Sequence, residues 1–215
     1  IIYVNLNKPI KSRLEVVVNN FPQANIILVS ELDQSSEMVE NSADIPIGYK
    51  AYYHEPVFDE QDECFKIYSL ILVRMNVTFK VKYVFRQPPV TSIHLTNHKN
   101  ISINFTVFYK PVTSSNKWIY LQCSEEGFVD RLSAAIRQQV KVASFLAGDL
   151  NVDLQKPGRE SNNFLALLSR YDNWIRGPTF LRKNGLRKPT ASTIDILMTR
   201  GMSGEVTSYD GRVYA

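Results

Sequence analysis

Two cysteines, Cys64 and Cys123, are all that this 215-residue chain contains. No CxxC pair exists, so neither a disulfide framework nor a zinc site is implied, and the usage suits a reducing compartment. There are three histidines, His54, His94 and His98. The i, i+4 spacing of the last two is a weak metal signal, outweighed by the reading as surface residues. No apolar stretch nears the roughly 20 residues that span a bilayer, and the opening Ile1-Ile2-Tyr3-Val4 is not a signal peptide, so no membrane association is expected. Internal repeats, low-complexity tracts and Pro/Gly/Ser-rich linkers are also missing. One domain with one large core is expected, since 44% of the residues are hydrophobic. The first residue is not Met, and the chain reads as an excerpt of a longer protein. Three glycosylation patterns, at Asn76, Asn100 and Asn104, are short enough to be chance.

The net charge of +4 is mild but unevenly spread. Residues 31–63 hold ten acidic residues and one basic residue, Lys50, whereas residues 176–188 hold five basic residues and no acid. Basic clusters usually form a solvated face, and they can also hold a polyanion such as nucleic acid.

Hydrophobic periodicity orders the elements. Residues 1–6 read as a strand, followed by a helix with Leu14, Val17, Val18 and Phe21 on one face, then a buried strand over 25–30 that ends directly at Glu31. This is a βαβ-like opening. Residues 33–63 read as polar and irregular. Strands are expected at 67–73, 79–85 and 101–108, the last alternating Ile101, Ile103, Phe105 and Val107 with Ser102, Asn104 and Thr106. An amphipathic helix fits 125–140, with Ser124 as its N-cap. A strand at 142–147, a helix near 161–170 and a strand at 193–198 complete the set. The fold class is therefore α/β, with two packed mixed β-sheets flanked by helices.

The segment Gly148-Asp149-Leu150-Asn151 is the most informative. The glycine is expected to break the preceding strand. Asp149 and Asn151, two apart, would share a face at its end, where open α/β sheets place their active sites. A plain surface turn is the alternative for this segment alone. Further polar residues stand at strand ends: Asn5, Glu31, Tyr109, and Asp195 inside an apolar run, where a carboxylate needs a partner. Carboxylates with Asn and Tyr, and no Cys/His cluster, suit a hard divalent cation, Mg²⁺ or Mn²⁺. Such an ion polarises a phosphodiester and stabilises its leaving oxygen.

In their order along the chain, Asn5-Leu6-Asn7, Ile27-Leu28-Val29-Ser30-Glu31, Phe108-Tyr109-Lys110-Pro111, Gly148-Asp149-Leu150-Asn151, Pro178-Thr179-Phe180 and Ser192-Thr193-Ile194-Asp195-Ile196 resemble the exonuclease-endonuclease-phosphatase superfamily. Within it, the chain looks most like the endonuclease domain of LINE-type (non-LTR) retrotransposons. The resemblance implies a DNase I-like four-layer α/β sandwich and a metal-dependent endonuclease that nicks double-stranded DNA in the nucleus, in a polyprotein with a reverse transcriptase. Glu31 would hold the metal with Asn5 beside it. Asp149 would orient or deprotonate the attacking water, Asn151 and Tyr109 would contact the scissile phosphate, and Asp195 would position a catalytic histidine or Asn151. Thr179, the basic residues Arg182, Lys183, Arg187 and Lys188, and Ser192 would lie in a hairpin that probes the target groove. Arg159 is a candidate contact to the DNA backbone. The chain departs from the pattern in places. Leu32 follows the glutamate in place of Thr or Pro, and Val112 replaces a frequent Asn. No Ser-Asp-His motif closes the chain, and Ser208-Tyr209-Asp210-Gly211 is a poor substitute. Residues 1–215 are thus expected to stop just before that segment. The competing readings are a phosphatase or RNA nuclease of the same superfamily, and a degenerate, non-catalytic DNA-binding domain.

Overall fold

The structure, a computed structural model, describes residues 1–6, 11–40, 45–139, 141–169, 171, 173–174, 180–182, 190–192 and 195–201, with backbone alone at 11–13, 33, 38, 40, 173–174, 180–182 and 190–192. The elements in chain order are β1 (Ile2–Asn5), α1 (Lys11–Asn20), β2 (Ile26–Ser35), α2 (Ser36–Glu40), β3 (Tyr49–Tyr53), β4 (Val57–Asp59), β5 (Cys64–Arg74), β6 (Phe79–Phe85), β7 (Val90–Asn97) and β8 (Ser102–Tyr109). They continue with α3 (Lys117–Tyr120), α4 (Glu125–Gln138), β9 (Ala143–Asp149), α5 (Arg159–Leu168), β10 (Asn173–Trp174), β11 (Phe180–Arg182), β12 (Thr190–Ser192) and β13 (Asp195–Arg200).

Two mixed sheets form. The first runs β1-β2-β5-β3, with β4 paired to the outer part of β5; the second runs β10-β13-β9-β8-β7-β6. Among the described residues, only β1–β2 and β8–β9 pair in parallel, and the other pairs are antiparallel. The period-2 alternation of β2 sorts its side chains between two interfaces. Ile26 and Leu28 meet Ile71, Ile93, Phe105 and Val107 between the sheets. Ile27 and Val29 face the other way, onto Leu14 and Val17 of α1. On the far side of the second sheet, Phe128 and Leu132 of α4 and Phe164 of α5 cover Leu146, Ile196 and Met198. The result is the expected four-layer sandwich. Each fully buried aliphatic side chain in it stabilises by roughly 1.5–3 kcal/mol.

Helix α4 starts as the sequence indicates. Ser124 Oγ accepts from the Gly127 amide at 3.1 Å, and Glu125 and Glu126 sit in the first turn, where the helix dipole favours negative charge.

Several boundaries differ from the sequence reading. Strand β2 does not end at Glu31. It continues to Ser35 through a register shift between Ser30 and Gln34, and Glu31 sits in that irregularity with φ 54°. Residues 33–63 are not irregular: α2, β3 and β4 lie there. Gly148 does not break β9. The strand runs through it to Asp149, because the position tolerates no side chain. A Cβ would lie 2.6 Å from Phe108 Cδ2 and closer still to the Phe108 carbonyl oxygen. Strand β7 had no apolar signature, and its buried polar side chains explain why. Ser92 and Thr106 hydroxyls meet at 2.8 Å, Gln139 Nε2 donates to Thr106 at 2.7 Å, and the Tyr171 hydroxyl donates to Gln139 at 3.1 Å.

Candidate active site

The parallel pairs β1–β2 and β8–β9 present their carboxyl ends at one end of the sandwich. Asn5 pairs with Ser30 beside Glu31, Tyr109 pairs with Asp149, and antiparallel β13 brings Asp195 opposite Asp149. Asp195 is thus the first residue of its strand and half-buried, not interior to the run.

The Asn5 side-chain amide joins the sheets. Its Nδ2 donates to Asp149 Oδ2 at 3.0 Å and to Asp195 Oδ1 at 3.1 Å. Asp149 is 1% exposed and its Oδ1 accepts from the Asn151 amide at 2.7 Å. Burial first, then the Asp195 carboxylate, push the Asp149 carboxyl up to about 8, with Glu31 adding to the shift and the bonds from Asn151 and Asn5 opposing it.

Asn151 adopts φ 49°, so it does not continue the extended strand, and the shared-face argument fails for it. The residues meet through the short turn bond from the Asn151 amide to Asp149, a pairing that Asn favours because it tolerates the left-handed region. Asn151 Nδ2 donates to the Lys110 carbonyl at 2.7 Å, and the Lys110 amide donates to the Asp149 carbonyl at 2.8 Å. Lys110 is 1% exposed, and its Nζ pairs with Glu125 and Glu160, each at 3.0 Å, which ties the starts of α4 and α5 to this corner.

Tyr109 is the last residue of β8 and lies 5% exposed, its ring 6.2 Å from that of Tyr68, with the Lys117 ammonium over both. Arg159 is exposed at the first residue of α5. Strands β11 and β12 pair as an antiparallel hairpin with Arg182 opposite Thr190 and Phe180 opposite Ser192, so the expected hairpin exists. Thr179, Lys183, Arg187, Lys188 and Ser208-Tyr209-Asp210-Gly211 lie outside the described residues.

The histidines stand elsewhere. His54 is fully buried, with Nε2 accepting from the Tyr68 amide at 2.9 Å and Nδ1 donating to the Glu55 carbonyl at 2.7 Å. Burial lowers it to about 4. His94 bonds Asn104 and Thr96 within the second sheet.

Sequence reasoning missed Tyr3 and Lys110. The Tyr3 hydroxyl donates to Asp195 Oδ1 at 2.7 Å and lies 2.8 Å from Ser30 Oγ. Its one proton is committed to the carboxylate, so Ser30 donates to the Tyr3 oxygen. Burial, then Asp195 and Asp149, hold the phenol well above its usual range. The available signal was spacing, since Tyr3 and Asn5 are two apart on one strand and share a face.

No family model and no curated protein matches the chain. Solved structures do. The chain is similar to the 3′ phosphatase NExo from Neisseria bound to product DNA hairpin, at 15% identity over 93% of this chain and 85% of that one, with a TM-score of 0.58. It is similar to the endonuclease domain of TRAS1, a telomere-specific non-LTR retrotransposon, at 12% identity, 93% and 83% coverage and a TM-score of 0.56. An endonuclease/exonuclease/phosphatase family protein from Leptotrichia buccalis matches at 12% identity, 92% and 86% coverage and a TM-score of 0.56. This chain has the endonuclease/exonuclease/phosphatase fold. Within that fold, the cluster of Asn5, Glu31, Asp149 and Asp195 lies at the carboxyl ends of the parallel strands.

Among the described residues, no group of three or more His, Cys, Asp or Glu side chains forms a cage for a metal ion. The donor set still fits Mg²⁺ or Mn²⁺. The donors are oxygens, Mg²⁺ needs only one or two protein carboxylates because it keeps much of its water, and Asp195 and Glu31, after burial, add to the upward shift of Asp149 as negative charge that a cation would relieve.

Proposed function

We propose that the chain is a divalent-metal-dependent phosphodiesterase that nicks double-stranded DNA, working as the endonuclease domain of a retrotransposon polyprotein that acts in the nucleus alongside a reverse transcriptase. The observation that carries this reading is the sharing of the Asn5 amide between Asp149 and Asp195, with Glu31 close enough to shift Asp149. The likeness to the TRAS1 endonuclease domain and to NExo, whose structure holds a DNA product, supports DNA as the polymer. The basic run at 176–188, which includes Arg182 of β11, supports a long polyanion over a small phosphoester.

In this reading Glu31, with Asn5 beside it, holds Mg²⁺ or Mn²⁺. When bound, the ion neutralises charge on the phosphate and on the departing oxygen. Asp149 orients the attacking water and takes its proton. Asn151, fixed by the Lys110 carbonyl, directs its side chain toward the scissile phosphate, which Tyr109 contacts from the neighbouring strand end. Asp195 holds Asn5 from the opposite side. Thr179, Arg182, Lys183, Arg187, Lys188, Ser192 and Arg159 engage the DNA backbone and groove.

Nicking of supercoiled plasmid tests this directly. Activity is expected with Mg²⁺ or Mn²⁺ and absent with EDTA, and Glu31→Gln and Asp149→Ala should each lower the rate by about a hundredfold or more without unfolding the protein. Undiminished nicking in chelator, or wild-type rates in either variant, refutes the assignment. Release of phosphate from a 3′-phosphorylated oligonucleotide without plasmid nicking would favour the phosphatase reading. DNA binding without cleavage would favour the non-catalytic one.

A further inference from the structure

We propose that Tyr3 is a positioning residue of this site: its hydroxyl fixes Asp195 so that the Asn5 amide stays bridged between Asp195 and Asp149. The geometry is a chain of hydrogen bonds across the two sheets. Ser30 Oγ donates to Tyr3 at 2.8 Å, Tyr3 donates to Asp195 Oδ1 at 2.7 Å, and the same oxygen accepts from Asn5 Nδ2 at 3.1 Å. Ser30, Tyr3 and Asn5 belong to the first sheet and Asp195 to the second. The Tyr3 bond is the shorter of the two on that oxygen, and hydrogen bonds to a charged acceptor are the stronger kind.

The need for such a fixture follows from the strand register. Asp195 sits directly opposite Asp149, where two carboxylates repel unless a proton or a hydrogen-bond donor stands between them. Asn5 opposes the repulsion with one amide proton to each carboxylate. An amide that donates to two groups keeps both bonds only if both acceptors stay put. Asp149 is anchored by the Asn151 amide at 2.7 Å. Tyr3 supplies the matching anchor for Asp195. Without the hydroxyl, Asp195 turns away from Asp149, the second Asn5 bond lengthens, and the Asn5 side chain loses its single orientation. Tyr3 touches no reacting atom in this account and acts through Asp195 and Asn5. Its kinetic consequence rests on the function proposed above, whereas its structural consequence does not.

The test uses Tyr3→Phe, which keeps the ring, and Ser30→Ala, which removes the hydroxyl's other partner and leaves its bond to Asp195. In ¹⁵N-labelled protein without metal or DNA, the Asn5 side-chain amide is identified by its loss in Asn5→Asp. Its protons should exchange with solvent about ten- to a hundredfold faster in Tyr3→Phe, the scale of one hydrogen bond to a charged group, and within about threefold of wild type in Ser30→Ala. On supercoiled plasmid with Mg²⁺, Tyr3→Phe should lower kcat by about ten- to a hundredfold with KM little changed, and Ser30→Ala should keep kcat within about threefold. An unchanged Asn5 amide in Tyr3→Phe, or an undiminished kcat in a protein that nicks, overturns the proposal. So do equal losses of melting temperature in both variants with no change in the amide. A wild-type protein that does not nick overturns the proposed function instead, and the amide measurement then decides the role of Tyr3 alone.

Discussion

The two parallel strand pairs perform the same architectural task with different chemistry. In each, a polar residue ends one strand beside an acid on its neighbour: Asn5 pairs with Ser30, just before Glu31, in the first sheet, and Tyr109 pairs with Asp149 in the second. In each, a non-glycine residue with positive φ follows, Glu31 itself at 54° and Asn151 at 49°. Asn tolerates that conformation and Glu does not. One step earlier in register the contrast reverses. Val4 faces Val29 in the first pair, whereas Phe108 faces Gly148 in the second. The second sheet obtains its turn through a suited residue and spends its glycine on close packing. The first packs ordinary aliphatics and carries the backbone strain on the acid itself. On the proposed function, Glu31 is a position where chemistry outweighs stability.

The largest expected effect breaks the glycine side of this contrast. Gly148→Ala places a methyl group against the Phe108 carbonyl and ring. It should cost about 3 kcal/mol or more, at or above the top of the overpacking range, as read by urea denaturation. A cost below about 1 kcal/mol would mean that Phe108 does not dictate the residue there.

The second prediction separates the sheets by acid response. His54, in the first half of the chain, is lowered to about 4 from 6.5. The unfolded chain therefore binds more protons between those values, and the contribution of His54 to stability, complete above about 6.5, is lost as the pH falls toward about 4. Asp149 is raised from 3.8 to about 8. The folded chain binds more protons across that window, so its contribution is complete below about 3.8 and is lost as the pH rises to about 8. Each slope is at most about 1.4 kcal/mol per pH unit. Relative to wild type, Asp149→Asn should gain stability steadily from pH 5 to 8, and His54→Gln should gain as the pH falls from 6.5 toward 4. A constant offset from wild type in either variant contradicts the corresponding shift.

The smallest effect sharpens the strain argument. Glu31→Asn should raise stability by about 1 kcal/mol, because Asn adopts the left-handed region more readily, while nicking is lost. Asn151→Ala should lower stability by a similar amount or more, since it also removes the bond to Lys110. A stabilising Asn151→Ala or a destabilising Glu31→Asn would show that the two positive-φ positions are not the counterparts they are taken to be.

Much of this was legible in the residues. Strand β6 fell on its expected bounds, α4 began at the expected Ser124 cap, and Asn5, Tyr109, Asp149 and Asp195 came to strand ends, with Asn151 just past β9 and Glu31 in the irregularity inside β2. What periodicity could not show has physical causes. Strand β7 buries Thr91 on one face and Ser92 on the other, each among hydroxyl partners, so neither face reads as a continuous apolar row. Strands β3 and β4 lie in the acid-rich stretch, where charge masks a short strand. The Glu31 bulge is a backbone event without a residue signature of its own, whereas Asn151 is a turn-favouring residue in a segment where a plain turn is the alternative reading. Tyr3 and Lys110 act through partners brought together by the topology. Asp195 stands 192 positions from Tyr3, and no local pattern encodes such a pairing.

The central claim is that Glu31, with Asn5 beside it, holds one divalent ion next to the Asp149 carboxyl. Calorimetric titration of Mn²⁺ into the metal-free protein, without DNA, measures this most directly. The account predicts one-site binding in the wild type, weakened about tenfold or more in both Glu31→Gln and Asn5→Ala. Absence of binding in the wild type, or equal affinity in all three proteins, would contradict it.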